Sequence, residues 1–453
     1  MTERTIASAL PGLLTELLPD HLARQRWSGA ADRVIDSVEL VWHELVRAEA
    51  PHLIWALARA HFADGDAQDF QVFVGARPAQ PRPRFLKGKE RELVGEVTGP
   101  GSGAPVVLYD ALIDPDLAIE VLHLVDPDRA VEVRRPLVLD HSNSSVVYDE
   151  EVILKIFRRV EQGPNPDVEI TRTLFERGFS HVLEPLAELE REGTDLAVLR
   201  PFLVGAVEGW HLARTSVRDV LASRQNPALA GADFAPEAER IGVMLAELHL
   251  VMADAWGREQ GDAAAWAAEM RDYLHGLGPV AGLDSERVGL RYDELARVGD
   301  AGAQIRIHGD LHLGQVMKAD AGWVALDFEG EPARNRRARY TASSPLRDVA
   351  GMLRSLHYAA AVGRADWDDE DQELDALALH WVDRNRVAFL AAYVEAEGIG
   401  ALLPADPGDR ATVLAAFELD KAVYEVAYEL AHRPEQVGIP ISGIERLAPP
   451  PGP

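Results

Sequence analysis

The period of the apolar positions changes along this chain, and each change marks a change of architecture. Near the N-terminus Leu13, Leu14, Leu17, Leu18 and Leu22 recur at three- and four-residue intervals, the spacing of one helix face. This predicts a largely helical segment over residues 12–26, kinked or split at Pro19, whose ring removes a backbone donor. Runs at 34–42, 52–61 and 69–75 read as strands. The Pro- and Arg-rich stretch 76–84 reads as a turn or linker. Gly99–Pro105 is glycine-rich, but no Gly-Lys-Ser/Thr follows it. It is therefore not a phosphate loop of the Walker type and reads as a flexible connection.

From about residue 131 the pattern becomes β-then-α. Val146–Tyr148 and Val152–Phe157 predict two strands joined by a turn at Asp149-Glu150. Asn165-Pro166-Asp167 is a helix start, with a capping side chain and a proline in the first turn. The helix runs over 168–177 and stops at Gly178, and a strand follows around 196–204. The remainder is mostly helical, as the stripe Ile241, Met244, Leu245, Leu248 and Met252 illustrates. No internal repeat or coiled-coil heptad is visible.

Composition narrows the field. A chain of 453 residues has ample length for two or three domains. Against 46 Lys+Arg stand 74 Asp+Glu, a formal charge of −28. Such acidity argues against nucleic acid or an anionic membrane surface as partner. The absence of cysteine excludes disulfides, thiolate nucleophiles and cysteine-ligated metals, and it suits a cytoplasmic location. The N-terminus shows no signal-peptide core, and no apolar run approaches the roughly 18 residues of a membrane span.

Chemistry concentrates at His308-Gly-Asp310-Leu-His312-Leu-Gly-Gln315, followed by Asp327-Phe-Glu329 after the apolar run Val324–Leu326. A carboxylate, an amide five residues on and a second carboxylate after a short hairpin are the parts a kinase needs. One carboxylate orients the attacking hydroxyl, and the amide and the other carboxylate hold the magnesium that bridges the phosphates. Asp310 takes the first role, Gln315 and Asp327 the second. A rival reading has His308, Asp310 and His312 alternate on a strand and bind zinc. A metallophosphoesterase reading lacks the further Asp, Asn and His clusters it requires. A plainer reading makes both histidines internal braces held by backbone carbonyls.

Upstream, Lys155 lies inside the apolar strand Val152–Phe157. It either snorkels to water or is aimed at the α- and β-phosphates and paired with an acid of the next helix, with Glu169 the candidate. Ser142, Asn143 and Ser144 occupy a turn ahead of it, where backbone N–H groups and small polar side chains can donate to phosphate oxygens. Arg334–Arg339 is a basic cluster, read as a solvated loop or a source of positive potential for a nucleotide.

Arg24-Gln-Arg-Trp27, Ser142–Ser145, Ile153–Arg158, Asn165–Glu169, the 308–315 run, Asp327-Phe-Glu-Gly-Glu-Pro332, Ser344–Gly351 and Glu418–Glu425 stand together. With these motifs the chain resembles the actinobacterial maltokinases over nearly its whole length. The resemblance implies an α+β, bilobal protein-kinase-like fold related to aminoglycoside phosphotransferases, with an N-terminal cap subdomain, a mixed N-lobe and a mostly α-helical C-lobe. The expected divisions are a cap over 1–88, a nucleotide-binding lobe over 89–204 and a helical lobe over 205–453. It implies ATP and Mg²⁺ as cofactors and transfer of the γ-phosphate to the anomeric hydroxyl of maltose. The product, α-maltose 1-phosphate, would feed α-glucan (glycogen) synthesis, with maltose supplied from trehalose.

By the same likeness Asp310 is the base, Gln315 and Asp327 the metal ligands, and Lys155 with Glu169 the phosphate-binding pair. Arg200-Pro-Phe202 matches the hinge whose backbone binds adenine. The Asp420–Glu425 helix also fits maltokinases; Lys421 and Tyr424, one helical turn apart, can present two donors to a sugar, with Asp420 beside them, or the segment is a surface helix with an internal charge pattern. The expected partners are maltose and ATP, with trehalose synthase a candidate, and the expected state a monomer or weak homodimer. Related kinases of the same architecture phosphorylate glucosamine. A kinase-like scaffold without transfer is the remaining alternative, and intact Lys155, Asp310, Gln315 and Asp327 weigh against it.

Overall fold

The computed structural model describes residues 3–30, 33–99, 103–131, 137–140, 143–331, 341–367 and 371–448. The chain divides into two compact units: residues 1–169 with 184–204, and residues 170–183 with 205–453.

In the first unit, helix α1 (Glu3–Arg24) precedes an antiparallel sheet of β1 (Ile35–Arg47), β2 (His52–Phe62), β3 (Ala67–Pro78), β4 (Leu93–Thr98) and β5 (Pro105–Asp110), ordered β1-β2-β3-β5-β4. Strand alternation gives this sheet two different faces. Ile54, Ala56, Ala58 and Ala60 of β2 turn one way and bury Leu10, Leu14, Leu18 and Leu22 of α1. Leu53 and Trp55 turn the other way, toward Leu117, Val121 and Leu122 of α2 (Pro115–Val125). α1 runs unbroken through both Pro11 and Pro19, so the helix is not split at Pro19. Four leucines at four-residue spacing, all nearly inaccessible, outweigh the lost backbone bond, since one fully buried leucine is worth about 1.5–3 kcal/mol.

The glycine-rich 99–105 segment connects the antiparallel pair β4 and β5: Gly99 N donates to Ala104 O at 2.7 Å. The sheet thus continues past residue 88, where the sequence pattern placed the end of the cap.

The second sheet of this unit has the order β10-β11-β8-β7-β6, formed by β6 (Leu137–Asp140), β7 (Ser144–Tyr148), β8 (Val152–Ile156), β10 (Ala187–Arg191) and β11 (Thr194–Pro201). The short β9 (Arg159–Val160) pairs with β3. The β7–β8 turn falls where expected, with Asp149 and Glu150 both at positive φ (55° and 57°), the mirror-image turn that suits a tight hairpin. Two buried polar side chains tie the sheets together. Gln71 of β3 donates through Nε2 to the carbonyls of Phe157 (3.1 Å) and Leu196 (2.8 Å) and accepts from Trp55 Nε1 at 2.9 Å. Arg158 donates to Asp110 and, at 2.8 Å, to Ser144 Oγ, with its guanidinium 4.8 Å from the Trp27 ring centroid.

Helix α3 (Pro166–Glu176) begins in the first unit and ends in the second. Its start is capped as expected, Asp167 N donating to Asn165 Oδ1 at 2.8 Å. The second unit is mainly helical: α4 (Gly209–Ser223), α5 (Ala235–Trp256), α6 (Ala263–Leu277), α7 (Ser285–Leu295), α8 (Leu346–Ala365), α9 (Gln372–Glu395), α10 (Pro407–His432) and α11 (Gly438–Leu447). Two small antiparallel sheets sit among them. One is β12 (Val207–Glu208), β15 (Val316–Ala319) and β16 (Gly322–Ala325); the other is β13 (Arg258–Gln260) with β14 (Ala303–Ile305). The α5 stripe of Ile241, Met244, Leu245, Leu248 and Met252 is buried in the single core of this unit. Among the described residues no helix is long and apolar enough to cross a membrane.

Candidate active site

In the first unit Lys155 projects from β8, and its Nζ donates to Asp167 Oδ2 at 2.9 Å. Arg200 of β11 reaches the same oxygen at 3.1 Å and the Asp167 carbonyl at 3.3 Å. Asp167 is fully buried. Burial alone would raise its pKa, but Arg200 and Lys155 outweigh that and hold the carboxyl below the usual carboxylate range. Asp167, an acid the sequence pattern did not name, thus holds Lys155; Glu169, the acid it named, is half-buried on the same helix.

Among the other positions expected to serve the nucleotide, Ser144 is buried and its Oγ accepts from Arg158. Asn143 is buried, and Ser142 lies outside the described residues, as does the 334–339 basic cluster. The Arg200 side chain clamps Asp167. In the expected hinge segment 200–202, the Phe202 N–H donates to Glu151 O at 2.7 Å.

In the second unit the 308–315 run lies in extended and turn backbone between β14 and β15, held from α8. Asp348 accepts the N–H groups of His308 (2.8 Å) and Gly309 (2.9 Å). Behind it His249 Nε2 lies 3.1 Å from Asp348, and His249 Nδ1 lies 2.8 Å from the Tyr393 hydroxyl. Burial opposes the charge on Asp348, but the His249 hydrogen bond, the nearby His249 and His308 rings and the Gly309 amide lower its pKa. Leu313 N donates to Ser355 Oγ at 3.1 Å. Gly351 is required by close approach, because a Cβ there would meet Leu311 O at 2.5 Å.

The histidines are braces, as the plainer reading held. His308 Nε2 lies 2.9 Å from Leu326 O, and His312 Nδ1 accepts from Gly314 N at 3.0 Å. Burial lowers the His312 pKa, so the ring is neutral and fit for that acceptor role. Among the described residues His308, Asp310 and His312 form no metal-holding group.

Asp310 stands between these braces. Its Oδ1 accepts from Lys421 Nζ of α10 at 3.1 Å, and the same Nζ donates to Glu331 Oε1 at 2.7 Å. Burial works against the lysine's charge, but Glu331 and Asp310 outweigh it and raise its pKa. Tyr424, one turn along α10, has its ring centroid 4.8 Å from the same Nζ. Asp420 is buried and faces Arg347, whose Nη2 lies 3.6 Å from Asp420 and 3.7 Å from Glu331. Three of the expected sugar-site positions, Asp310, Lys421 and Tyr424, thus converge, while Asp420 backs them. Glu331 joins them although sequence reasoning gave it no role. Its only signal was its place in the Asp327–Pro332 motif.

Gln315 donates through Nε2 to Asp327 Oδ2 at 3.1 Å, so its Oε1 is the atom that could face a cation. Asp327 lies in the left-handed region at φ 64°, a conformation that costs energy for a non-glycine residue and clusters at functional sites. Carboxylate oxygens of Asp327 and Glu329 lie within 4.8 Å of each other. Two carboxylates and an amide oxygen form a hard-oxygen donor set, the kind Mg²⁺ takes. A cavity of about 520 Å³ adjoins the catalytic run, bordered by Gly309, Gly330 and Arg347 and by the acids Glu259, Asp262, Glu269 and Glu331.

Residues 21–114 match the maltokinase N-terminal cap domain. A glucosamine kinase of Mycolicibacterium smegmatis is 30% identical over 369 residues, spanning 77% of this chain and 89% of its own. A glucosamine kinase of Streptacidiphilus jiangxiensis is 30% identical over 375 residues, spanning 77% and 82%. The chain belongs to this family of sugar kinases. The solved structure of a glucosamine kinase in complex with glucosamine, ADP and inorganic phosphate superposes with a TM-score of 0.66 at 21% identity, over 97% of this chain and 99% of that one. The fold is accordingly the protein-kinase-like α+β fold with an N-terminal cap, and the enzyme is a phosphotransferase. The cap match ends at 114, past the β4–β5 pair, where the continuous sheet would put it.

Proposed function

We propose that this enzyme transfers the γ-phosphate of ATP to the anomeric hydroxyl of maltose. The observation that carries the chemistry is the clamp on Asp310. Lys421 occupies Oδ1, and Oδ2 has no hydrogen-bond partner among the described residues. One oxygen is thus fixed and the other is available to orient a hydroxyl and take its proton. The α8 brace holds the backbone of this loop, so little reorganisation is needed at the moment of transfer. Lys155, fixed by Asp167, supplies a cation for the α- and β-phosphates. Asp327 and Gln315, with Glu329, would hold Mg²⁺, which when bound neutralises phosphate charge.

Maltose as acceptor is supported by the Asp420–Glu425 stretch of α10. It brings a cation and a tyrosine to the catalytic carboxylate, and their donors suit the hydroxyls of a second ring. A second reading, glucosamine, is favoured by the acidic border of the cavity, where four carboxylates face one arginine. An ammonium sugar gains from that field, and the relatives named above are glucosamine kinases. Following ADP release with maltose, glucosamine, glucose and trehalose side by side, with NMR of the products, separates the two. Phosphate on the anomeric carbon of maltose is the expected result. Turnover confined to glucosamine transfers the conclusion to the second reading, and turnover with no sugar removes both.

A further inference from the structure

α6 carries a row of side chains toward the acceptor side of the second unit. Trp266 and Glu269 both border the cavity beside Gly309 and Gly330, and Tyr273 is the next residue on that face, since positions three and four apart share one side of a helix. Tyr273 is 38% exposed, and its ring lies 6.4 Å from that of Tyr424, the planes 28° from parallel. Tyr424 in turn lies against Lys421, which holds the catalytic Asp310. Nearby, the Tyr292 hydroxyl is buried without a hydrogen-bond partner among the described residues, in the field of Asp420 and Tyr273.

We infer that Tyr273 is a specificity-determining residue, forming with Tyr424 an aromatic platform for the second ring of a disaccharide acceptor. The two rings are too close for a sugar to slide between them, which would need two carbon–carbon contacts of about 3.5–4 Å each. They therefore offer a surface on which the C–H face of a pyranose can rest while its hydroxyls stay free to hydrogen-bond. A monosaccharide reacting at Asp310 fills the inner position and does not extend to Tyr273. A disaccharide does. The inference rests on the sugar-kinase reading and goes beyond it by assigning the outer ring to α6.

The test is the comparison of Tyr273→Ala and Tyr273→Phe with the wild type, using ADP release for turnover and calorimetry for maltose binding without nucleotide. Tyr273→Ala should raise the KM for maltose by about 3–10-fold, the size of one aromatic contact, with kcat and the KM for glucosamine or glucose little changed. Tyr273→Phe should restore the wild-type values. Equal effects of Tyr273→Ala on mono- and disaccharides, or none on either, overturn the platform. So does a wild type that turns over glucosamine but neither binds nor phosphorylates maltose, and in that case the sugar-kinase reading survives. Maltose binding weakened by Tyr273→Ala in a protein that phosphorylates no sugar has the opposite meaning: the platform stands and the kinase reading fails.

Discussion

Asp310 and Asp167 are both carboxylates held by cations, and their surroundings give them different work. Asp310 has one oxygen tied to Lys421 and the other without a hydrogen-bond partner among the described residues, which suits a base. Replacing it with asparagine keeps the shape and removes the proton acceptor. Asp310→Asn should cut turnover by about 10²–10⁴-fold while calorimetry shows ATP binding retained; near-normal turnover would take the role from this residue. Asp167 has no exposure and two cations upon it, so its task is to hold Lys155 and Arg200 in place. Asp167→Ala strands two charges, a change that costs about 3–5 kcal/mol when a buried pair is broken. Urea unfolding should show a loss of that order together with weaker ATP binding, and an unchanged midpoint would refute it. The difference was only half legible in the sequence. Lys155 in an apolar strand announced a need for a partner. That Asp167 would meet it was not legible, because this depends on the phase of the first turn of α3, where one residue moves a side chain by about 100°.

At the scale of elements, local signals were read well and long-range ones poorly. The β7–β8 hairpin, the capped start of α3 and the α5 stripe each depend on a few adjacent residues, and each lies where the pattern put it. α1 passes through Pro19 because its leucines are buried by a sheet formed later in the chain, which no local rule contains. The same holds for the α8 brace. Asp348 was visible as part of a motif, but not its grip on residues some forty positions earlier. This yields a prediction for α8. Asp348→Asn replaces one acceptor oxygen by an amide that, like the His308 and Gly309 N–H groups it faces, can only donate. The catalytic loop should loosen and kcat fall by about 10–100-fold, with ATP affinity nearly kept. Hydrogen exchange at His308 and Gly309 should speed up in parallel. A loss of kcat without faster exchange would mean that Asp348 acts on the chemistry by another route.

For the molecule as a whole, each unit carries a buried histidine that folding keeps neutral. In the first unit His21 is 2% exposed, with Nδ1 3.2 Å from Leu93 O, and burial lowers its pKa to about 4. In the second unit burial, with Arg354 beside it, lowers His357 to about 3. An unfolded histidine takes up its proton near pH 6.5, by contrast. Between these values the unfolded chain binds more protons than the folded one, so stability rises with pH across the window. Acidification from about pH 6.5 to 4 should therefore destabilise both units, by up to about 1.4 kcal/mol per pH unit for each histidine. Carboxylates held below their usual range, such as Asp167, add their own loss only lower, as pH falls from the unfolded value near 4 through the folded one. The two contributions are thus separable along the pH axis. His21→Gln cannot take up a proton in either state, so it should lower stability at pH 7 and flatten its decline between pH 6.5 and 4. Urea midpoints at half-unit pH steps measure this directly. A variant whose decline is as steep as that of the wild type would show that protonation of His21 in the unfolded chain contributes nothing to acid unfolding.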